Sequence, residues 1–342
     1  MPLTLTVSQI WFKIGKLKLA LSLHPRNKLQ GFRHVSYKFM MMGFGNRWWI
    51  GFWFATAIAT LFSSSAVRSL DPIELAQVEV NSQAVEYLNQ GLQLIQMGEV
   101  ERAIAAFQES ARLGPNLAPA SYNLGLALRQ RGDLQGAASA FHQAIQIDPN
   151  FAIAYANLGA ALLEGRNLQQ AQEYLQMSVQ LDPKLGVGHY NLGLVQKLQG
   201  NRTAAIASFK QAMVFSPTAP EPYYYSGLIY QEQGQLTPAM EKFRQAVDKN
   251  PEYAQAYYAI GSTLLQQGQL DEALNAFRKA AEANPNYGNA YYGAGLVFIE
   301  QQDYQEAQRV LAFAQKLYET EGNQQWAIAA AQLLQRVRDL ER

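Results

Sequence analysis

The chain has 342 residues, 49% of them apolar types, and no cysteine, which excludes disulfides, thiolate chemistry and cysteine zinc sites. Its formal net charge of +1 hides an asymmetry: residues 1–70 hold nine of the 28 Lys/Arg (Lys13, Lys16, Lys18, Arg26, Lys28, Arg33, Lys38, Arg47, Arg68) and none of the 27 Asp/Glu. The remainder carries 19 basic against 27 acidic residues, which excludes nucleic acid as the natural partner, since that needs a basic footprint.

In chain order, residues 1–47 form a basic N-terminal extension. Over 1–39 apolar residues interleave with basic ones around Trp11, Phe12, Lys13 and Ile14. That pattern reads first as a disordered extension and second as a helix lying on an anionic membrane surface. Met40, Met41 and Met42 offer later starts, in which case the extension is not translated and 43–47 serve as a short basic n-region.

From Trp48 to Val67 twenty residues carry no charge, bracketed by Arg47 and Arg68. The stretch is long enough to span a bilayer as a helix. Its end, Ser63, Ser64, Ser65 and Ala66, equally fits a secretory signal cleaved after Ala66. Both readings keep the basic flank in the cytoplasm and put the rest on the other side. The protein is therefore expected to be membrane-anchored with its remainder non-cytoplasmic, or secreted, periplasmic or lumenal after cleavage. A buried helix of a soluble domain fits less well, because the stretch is apolar on every face. Without a cysteine it cannot be a lipoprotein anchor.

Residues 68–83 read as a linker. Leu70, Asp71 and Pro72 signal a turn. The segment 73–80 suits a short helix or strand, and Asn81 and Ser82 are good N-caps for a following helix.

A ladder of period 34 then begins, carried by Gly91, Gly125, Gly159, Gly193, Gly227, Gly261 and Gly295. Twelve residues after each glycine stands Ala103, Ala137, Ala171, Ala205, Ala239, Ala273 or Ala307. Four further on stands Phe107, Phe141, Leu175, Phe209, Phe243, Phe277 or Leu311. Eight beyond that lies Pro115, Pro149, Pro183, Pro217, Pro251 or Pro285, with Glu319 replacing the proline in the seventh unit. Helical periodicity surrounds each glycine, as with Tyr257, Ile260, Gly261 and Leu264 on one face. A second amphipathic run follows, as with Ala273, Phe277 and Ala280. Between the runs lies a turn signal, Gly98, Gly132, Gly200, Gly234 or Gly268, where glycine adopts the left-handed conformation freely. The repeating proline stops the second helix, whereas Pro119, Pro222 and Pro238 sit at helix starts, where their missing amide hydrogens cost nothing. Mid-helix glycine costs about 1 kcal/mol relative to alanine. Its sevenfold use predicts a close approach of the two helices, glycine against the small alanine.

This ladder resembles the tetratricopeptide repeat, a helix–turn–helix unit. The resemblance covers seven units: 84–117, 118–151, 152–185, 186–219, 220–253, 254–287 and 288–321. It implies an all-α, right-handed superhelical solenoid, because one helix pair cannot bury its apolar face alone and stacked pairs can. An N-terminal hydrophobic helix precedes the solenoid and a capping helix over 322–342 closes it. Within that cap Trp326, Ala330, Leu333, Val337 and Leu340 are expected on the buried stripe.

No catalytic constellation stands out. None of the four histidines, His24, His34, His142 and His189, pairs at metal-ligand spacing, and His189 reads as a packing residue. Gly43, Phe44 and Gly45 resemble a phosphate loop only in composition. Asn201, Arg202 and Thr203 match the common glycosylation sequon. Neither a cofactor nor a metal is expected.

The first helix of each unit lines the inner face in the family. Two residues before the glycine stand Asn89, Asn123, Asn157 and Asn191, replaced later by Tyr225, Ala259 and Gly293. Such amides donate and accept, and are able to hold the backbone of an extended peptide, as in repeat-bearing glycosyltransferases. Three residues before the glycine stand Tyr122, Tyr190, Tyr224, Tyr258 and Tyr292, a residue type that gives large contact area at low entropic cost. Packing within the array accounts for the asparagines equally well. Chaperone-binding members grip a terminal carboxylate with basic residues and asparagines. Here the offset three before the glycine is never Lys or Arg, and the offset one after it is never Asn, so no carboxylate clamp is expected.

The sequence therefore predicts a non-enzymatic protein-interaction scaffold that binds a peptide or partner protein in its groove. Two other readings stand beside it. One is an assembly factor for a membrane or envelope complex. The other is a non-catalytic, substrate-binding subunit of an enzyme such as a glycosyltransferase.

Overall fold

The computed structural model describes residues 72–341. The basic extension 1–47, the later starts at Met40 to Met42, the uncharged stretch 48–67 with its cleavage site, and the linker up to Asp71 lie outside the described residues. Among the described residues there are fifteen α-helices and no strand. None of these helices is long and apolar enough to cross a membrane. The chain divides into two compact units after Pro115.

In the first unit, α1 (Pro72–Gln96) and α2 (Val100–Leu113) form one hairpin. The linker expected over 68–83 is thus partly helix. A single α1 of 25 residues runs through positions 81 and 82, where a helix start was expected. Proline is tolerated in the first turn, and the next eight residues include Glu, Leu, Ala and Gln with no glycine or proline to stop the helix. The unit closes around Ala84, Leu88, Leu94, Ala103, Ile104 and Phe107, all buried. The Ser110 hydroxyl donates to the Ala84 carbonyl at 2.6 Å, tying the two helices together.

The second unit holds six more hairpins and a terminal helix. The pairs are α3 (Ala118–Arg131) with α4 (Leu134–Ile147), α5 (Ala152–Glu164) with α6 (Leu168–Leu181), and α7 (Gly186–Leu198) with α8 (Arg202–Phe215). Then come α9 (Glu221–Glu232) with α10 (Leu236–Lys249), α11 (Ala254–Gln266) with α12 (Leu270–Ala283), and α13 (Gly288–Glu300) with α14 (Tyr304–Thr320). Helix α15 (Gln324–Glu341) closes the stack. Each of α4, α6, α8, α10 and α12 ends two residues before its proline. Helix α14, which has Glu319 there instead, runs on to Thr320.

The hairpin turns need one residue with positive φ. Gly132, Gly200, Gly234 and Gly268 supply it at φ between 73° and 92°. Where the repeat lacks that glycine, Arg166 (φ 64°) and Gln302 (φ 60°) adopt the same conformation. Few L-residues sit there, so the hairpin geometry is imposed by packing and overrides the local preference.

The mid-helix glycines do not face the small alanines. A Cβ placed on Gly125, Gly193, Gly227 or Gly261 would lie 2.5–2.7 Å from the ring of Phe141, Phe209, Phe243 or Phe277. Gly159 and Gly295 meet Leu175 and Leu311 in the same way. Each glycine is a socket for the large side chain 16 positions later, and those side chains are at most 1% exposed. A methyl-sized group is given up on one helix so that a ring can fill the space between the two. Phe277 is wedged between two sockets, since a Cβ on Gly293 of the next repeat would also lie 2.5 Å from its ring.

Helix α15 buries Ala327, Ala330, Leu334 and Val337. This corrects the expected stripe. Leu333 is only half-buried at its edge, Trp326 is 40% exposed and Leu340 58% exposed. Alanines let α15 approach α14 closely, around Ala314 and Tyr318.

Candidate functional site

Within the second unit, the first helices of successive repeats (α3, α5, α7, α9, α11, α13) each touch the next. The crowded side of a curved stack is its concave side, so these helices line the inner face. The tyrosines three before each glycine lie along it, one edge against the core. Ring centroids are 5.8 Å apart for Tyr122 and Phe141, 6.2 Å for Tyr190 and Phe209, 6.0 Å for Tyr224 and Phe243, and 5.6 Å for Tyr258 and Phe277. Such tilted pairs contribute about 0.5–1.5 kcal/mol each beyond area burial.

The positions singled out from the sequence do not share one environment. Tyr122 and Asn123 are 3% exposed and Asn191 is 8% exposed, so all three belong to the packed interior. The Asn123 amide donates to the Pro119 carbonyl at 2.7 Å, one turn back on its own helix. Asn157, half-buried, donates to the Ile153 carbonyl at 3.0 Å and to the Tyr122 hydroxyl at 3.2 Å. Asn89 is exposed on α1, in the first unit. The asparagines at the second to fourth repeats are thus held by the helices and one another's neighbours. Tyr190, Tyr224, Tyr258 and Tyr292 are half-buried, against 3% exposure for Tyr122. The ring of Tyr292 is crossed at 5.5 Å by Trp326 of the closing helix.

Three further tyrosines join this face. Tyr225 on α9 stacks on Phe209 of the preceding repeat, centroids 6.0 Å apart. Tyr253 and Tyr287, at the starts of α11 and α13, meet Tyr224 at 5.3 Å and Tyr258 at 5.9 Å edge-on. Tyr190 and Tyr225 are 6.0 Å apart, and Tyr224 and Tyr225 5.2 Å. The result is a strip of three aromatic groups along this face: Tyr190, Tyr225, Tyr224 and Tyr253, then Tyr258 with Tyr287, then Tyr292 with Trp326. The sequence signal for Tyr253 and Tyr287 was present, eight residues before their glycines, where Phe151 and Leu185 also stand. Those starts read as loop, and loops gave no reason to look.

One carboxylate lies in the strip. Glu221, in the first turn of α9, is half-buried and its acidity is weakened by burial. Burial pushes the hydroxyls of Tyr190 and Tyr225 up; Tyr225 and Glu221 add to it at Tyr190, whereas at Tyr225 the hydrogen bond with Tyr190 works against it and Glu221 adds to it. Tyr253 is pushed up in the same way, with Glu221 the largest of its charged neighbours. The Tyr258 hydroxyl is pushed up to about 12 by burial, with Tyr287 and Tyr292 adding to it. At neutral pH these phenols are neutral donors, and Glu221 is the acidic group among them.

His189 is packed, its ring stacked on Phe215 at 5.8 Å and its Nε2 2.9 Å from the Pro183 carbonyl. Among the described residues no three His, Asp or Glu side chains converge on one point.

Family signatures described as tetratricopeptide repeat match residues 224–287, 258–315 and 188–217, and one described as TPR repeat matches 125–164. No curated protein matches the chain significantly. Among solved structures, a tetratricopeptide repeat protein from Parabacteroides merdae is 15% identical, with 73% of this chain and 99% of that chain covered and a TM-score of 0.58. The pilF protein of Pseudomonas aeruginosa is 18% identical, covering 66% of this chain and 98% of that chain at a TM-score of 0.55. MamA is 28% identical, with 47% and 95% covered and a TM-score of 0.43. Seven glycine sockets at one period, fourteen helices in seven hairpins and four signature matches lead to one conclusion: the chain belongs to the tetratricopeptide repeat family.

Proposed function

We propose that this protein is a non-catalytic interaction scaffold that holds an extended segment of a partner protein along the tyrosine strip of its inner face. The observation that carries this reading is the partial exposure of Tyr190, Tyr224 and Tyr258, lined up on successive first helices. Tyrosine is the residue type enriched where proteins bind one another. The buried asparagines are not part of the proposed contact. A photo-crosslinking residue at Tyr258, in the full chain, should capture a partner that the same residue at the exposed Val214 on α8 does not. Equal capture from both positions would sink the reading.

The uncharged stretch 48–67 supports a scaffold that is exported or tethered to a membrane, and with a tether the assembly-factor reading is the natural extension. N-terminal sequencing of the protein from membrane and soluble fractions decides between the two forms. A start near Val67 in the soluble fraction means a free scaffold, and an uncleaved start in the membrane fraction means an anchored one.

A further inference from the structure

The half-buried carboxylate in the aromatic strip has no counterpart elsewhere in the array. Six carboxylates among the described residues escape full exposure: Glu99, Glu109, Asp133, Asp182, Glu221 and Glu306. Four of them hold an arginine, namely Glu99 with Arg102, Glu109 with Arg112, Asp133 with Arg131 and Glu306 with Arg309. Asp182 accepts the Lys184 backbone N–H at 3.0 Å. Glu221 has only its own backbone amide. A carboxylate that is partly desolvated and unpaired is costly.

The tyrosines divide in the same way. Two of those four before the glycine, Tyr223 and Tyr257, are already served by the chain's own lysines. Lys242 and Lys249 lie over the Tyr223 ring, 5.8 and 5.9 Å from its centroid, and Lys279 lies over Tyr257 at 6.0 Å. On the same helix Tyr224 and Tyr225 lie one turn on from Glu221, Tyr190 meets Tyr225 at 6.0 Å and Tyr253 meets Tyr224 at 5.3 Å, and no described cation lies over any of the four. A gap in the register adds room. Where Phe151, Leu185, Tyr253 and Tyr287 stand in other repeats, the repeat beginning beside Glu221 has Ala219.

Resting on the scaffold reading above, we propose that Glu221 and the rings of Tyr190, Tyr224, Tyr225 and Tyr253 form a receptor for one cationic side chain, lysine or arginine, of the bound segment. The carboxylate supplies the counter-charge and the ring faces supply cation–π contact, which strengthens when the cation leaves water. Phenol hydroxyls that stay neutral are able to donate to the carboxylate and leave its outer lone pairs for the incoming ammonium or guanidinium.

The test uses the full chain and a displayed library of random twelve-residue peptides. Wild-type protein is expected to enrich peptides with one Lys or Arg flanked by apolar residues. Resynthesised with acetyl-lysine or citrulline at that position, they should bind about tenfold more weakly. Glu221→Gln should shrink this difference to about threefold, which the ring faces alone supply, while leaving the neutral peptides' affinity unchanged. Glu241→Gln on the outer helix α10 removes the same charge and should leave the difference intact, which separates a local receptor from attraction by an acidic array. Binders that depend on Tyr258 yet show no Lys or Arg preference, or a preference that Glu221→Gln leaves undiminished, would overturn the receptor and leave the scaffold standing. A library that yields no binder dependent on Tyr258 would overturn the scaffold reading, and the receptor with it. Selection of the chain's own basic segment 1–39 as the best ligand, displaced by no other peptide, would assign the receptor to an internal ligand and overturn the partner.

Discussion

The second and third repeats and the fourth to sixth repeats use the same positions for opposite ends. At the former, Tyr122 is sealed: Phe151 lies 5.0 Å from its ring, Phe141 lies behind it, and its hydroxyl accepts from Asn157. At the latter, Tyr190 and Tyr224 occupy the equivalent position and are half-buried. The residue that decides is not the tyrosine. It is what the next repeat places over it: Phe151 and Asn157 over Tyr122, Ala219 and Tyr225 over Tyr190, and Tyr253 and Ala259 over Tyr224. A repeat array is thus able to turn one residue type from structural to available by changing a neighbour 29 or 35 positions later.

That comparison can be broken or sharpened by substitution. The largest effect belongs to the shared socket. Gly193→Leu would drive a side chain into the Phe209 ring, where even a Cβ would lie 2.6 Å away. Overpacking of this kind costs about 3 kcal/mol. Because repeats contact only their neighbours, calorimetry should resolve two melting steps where wild type shows one, and a single unchanged transition would refute the socket. Next is the sealed tyrosine. Tyr122→Phe leaves the Asn157 amide one partner short and should lower stability by about 1 kcal/mol, measured by chemical denaturation. Tyr258→Phe, whose hydroxyl makes no hydrogen bond to another described residue, should be nearly neutral. Equal losses would mean that both tyrosines are structural.

A comparable but local gain is expected at a helix start. Asp133 and Asp303 accept the backbone N–H of Gly136 at 2.8 Å and of Glu306 at 3.1 Å. Gln269, at the same position, caps nothing. Gln269→Asp should therefore raise stability by about 0.5–1 kcal/mol, read from the denaturation midpoint. The smallest effect concerns Glu221. Its folded-state pKa is raised by burial, so ionising it costs stability. That cost is absent below the ordinary carboxylate range, grows as pH rises through it and is complete above the raised value. The tyrosines that face it ionise only far above neutrality. The melting midpoint of Glu221→Gln relative to wild type should be higher at pH 7 than at pH 4. A pH-independent difference would show that the carboxylate is not desolvated.

Much of this protein is determined by its sequence alone, and the reason is periodicity. A 34-residue ladder of glycine, alanine, a large apolar residue and proline specifies two helices, their turn and their stop seven times over, so errors at one repeat are corrected by the others. The boundaries of the hairpins, the helix lengthened where Glu319 replaces proline and the closing helix follow from it. What the ladder could not tell was which large residue fills the glycine socket, since that depends on where the second helix crosses the first. It also could not tell a sealed polar residue from an available one. Asn123 and Asn191 read as a binding ladder because their spacing is right, yet burial is set by the neighbouring repeat and not by spacing. Glu221 carried no signal at all among 27 acidic residues. Only the stacking of three successive first helices surrounds it with tyrosines, and only that enclosure turns an ordinary carboxylate into an unpaired, half-desolvated one.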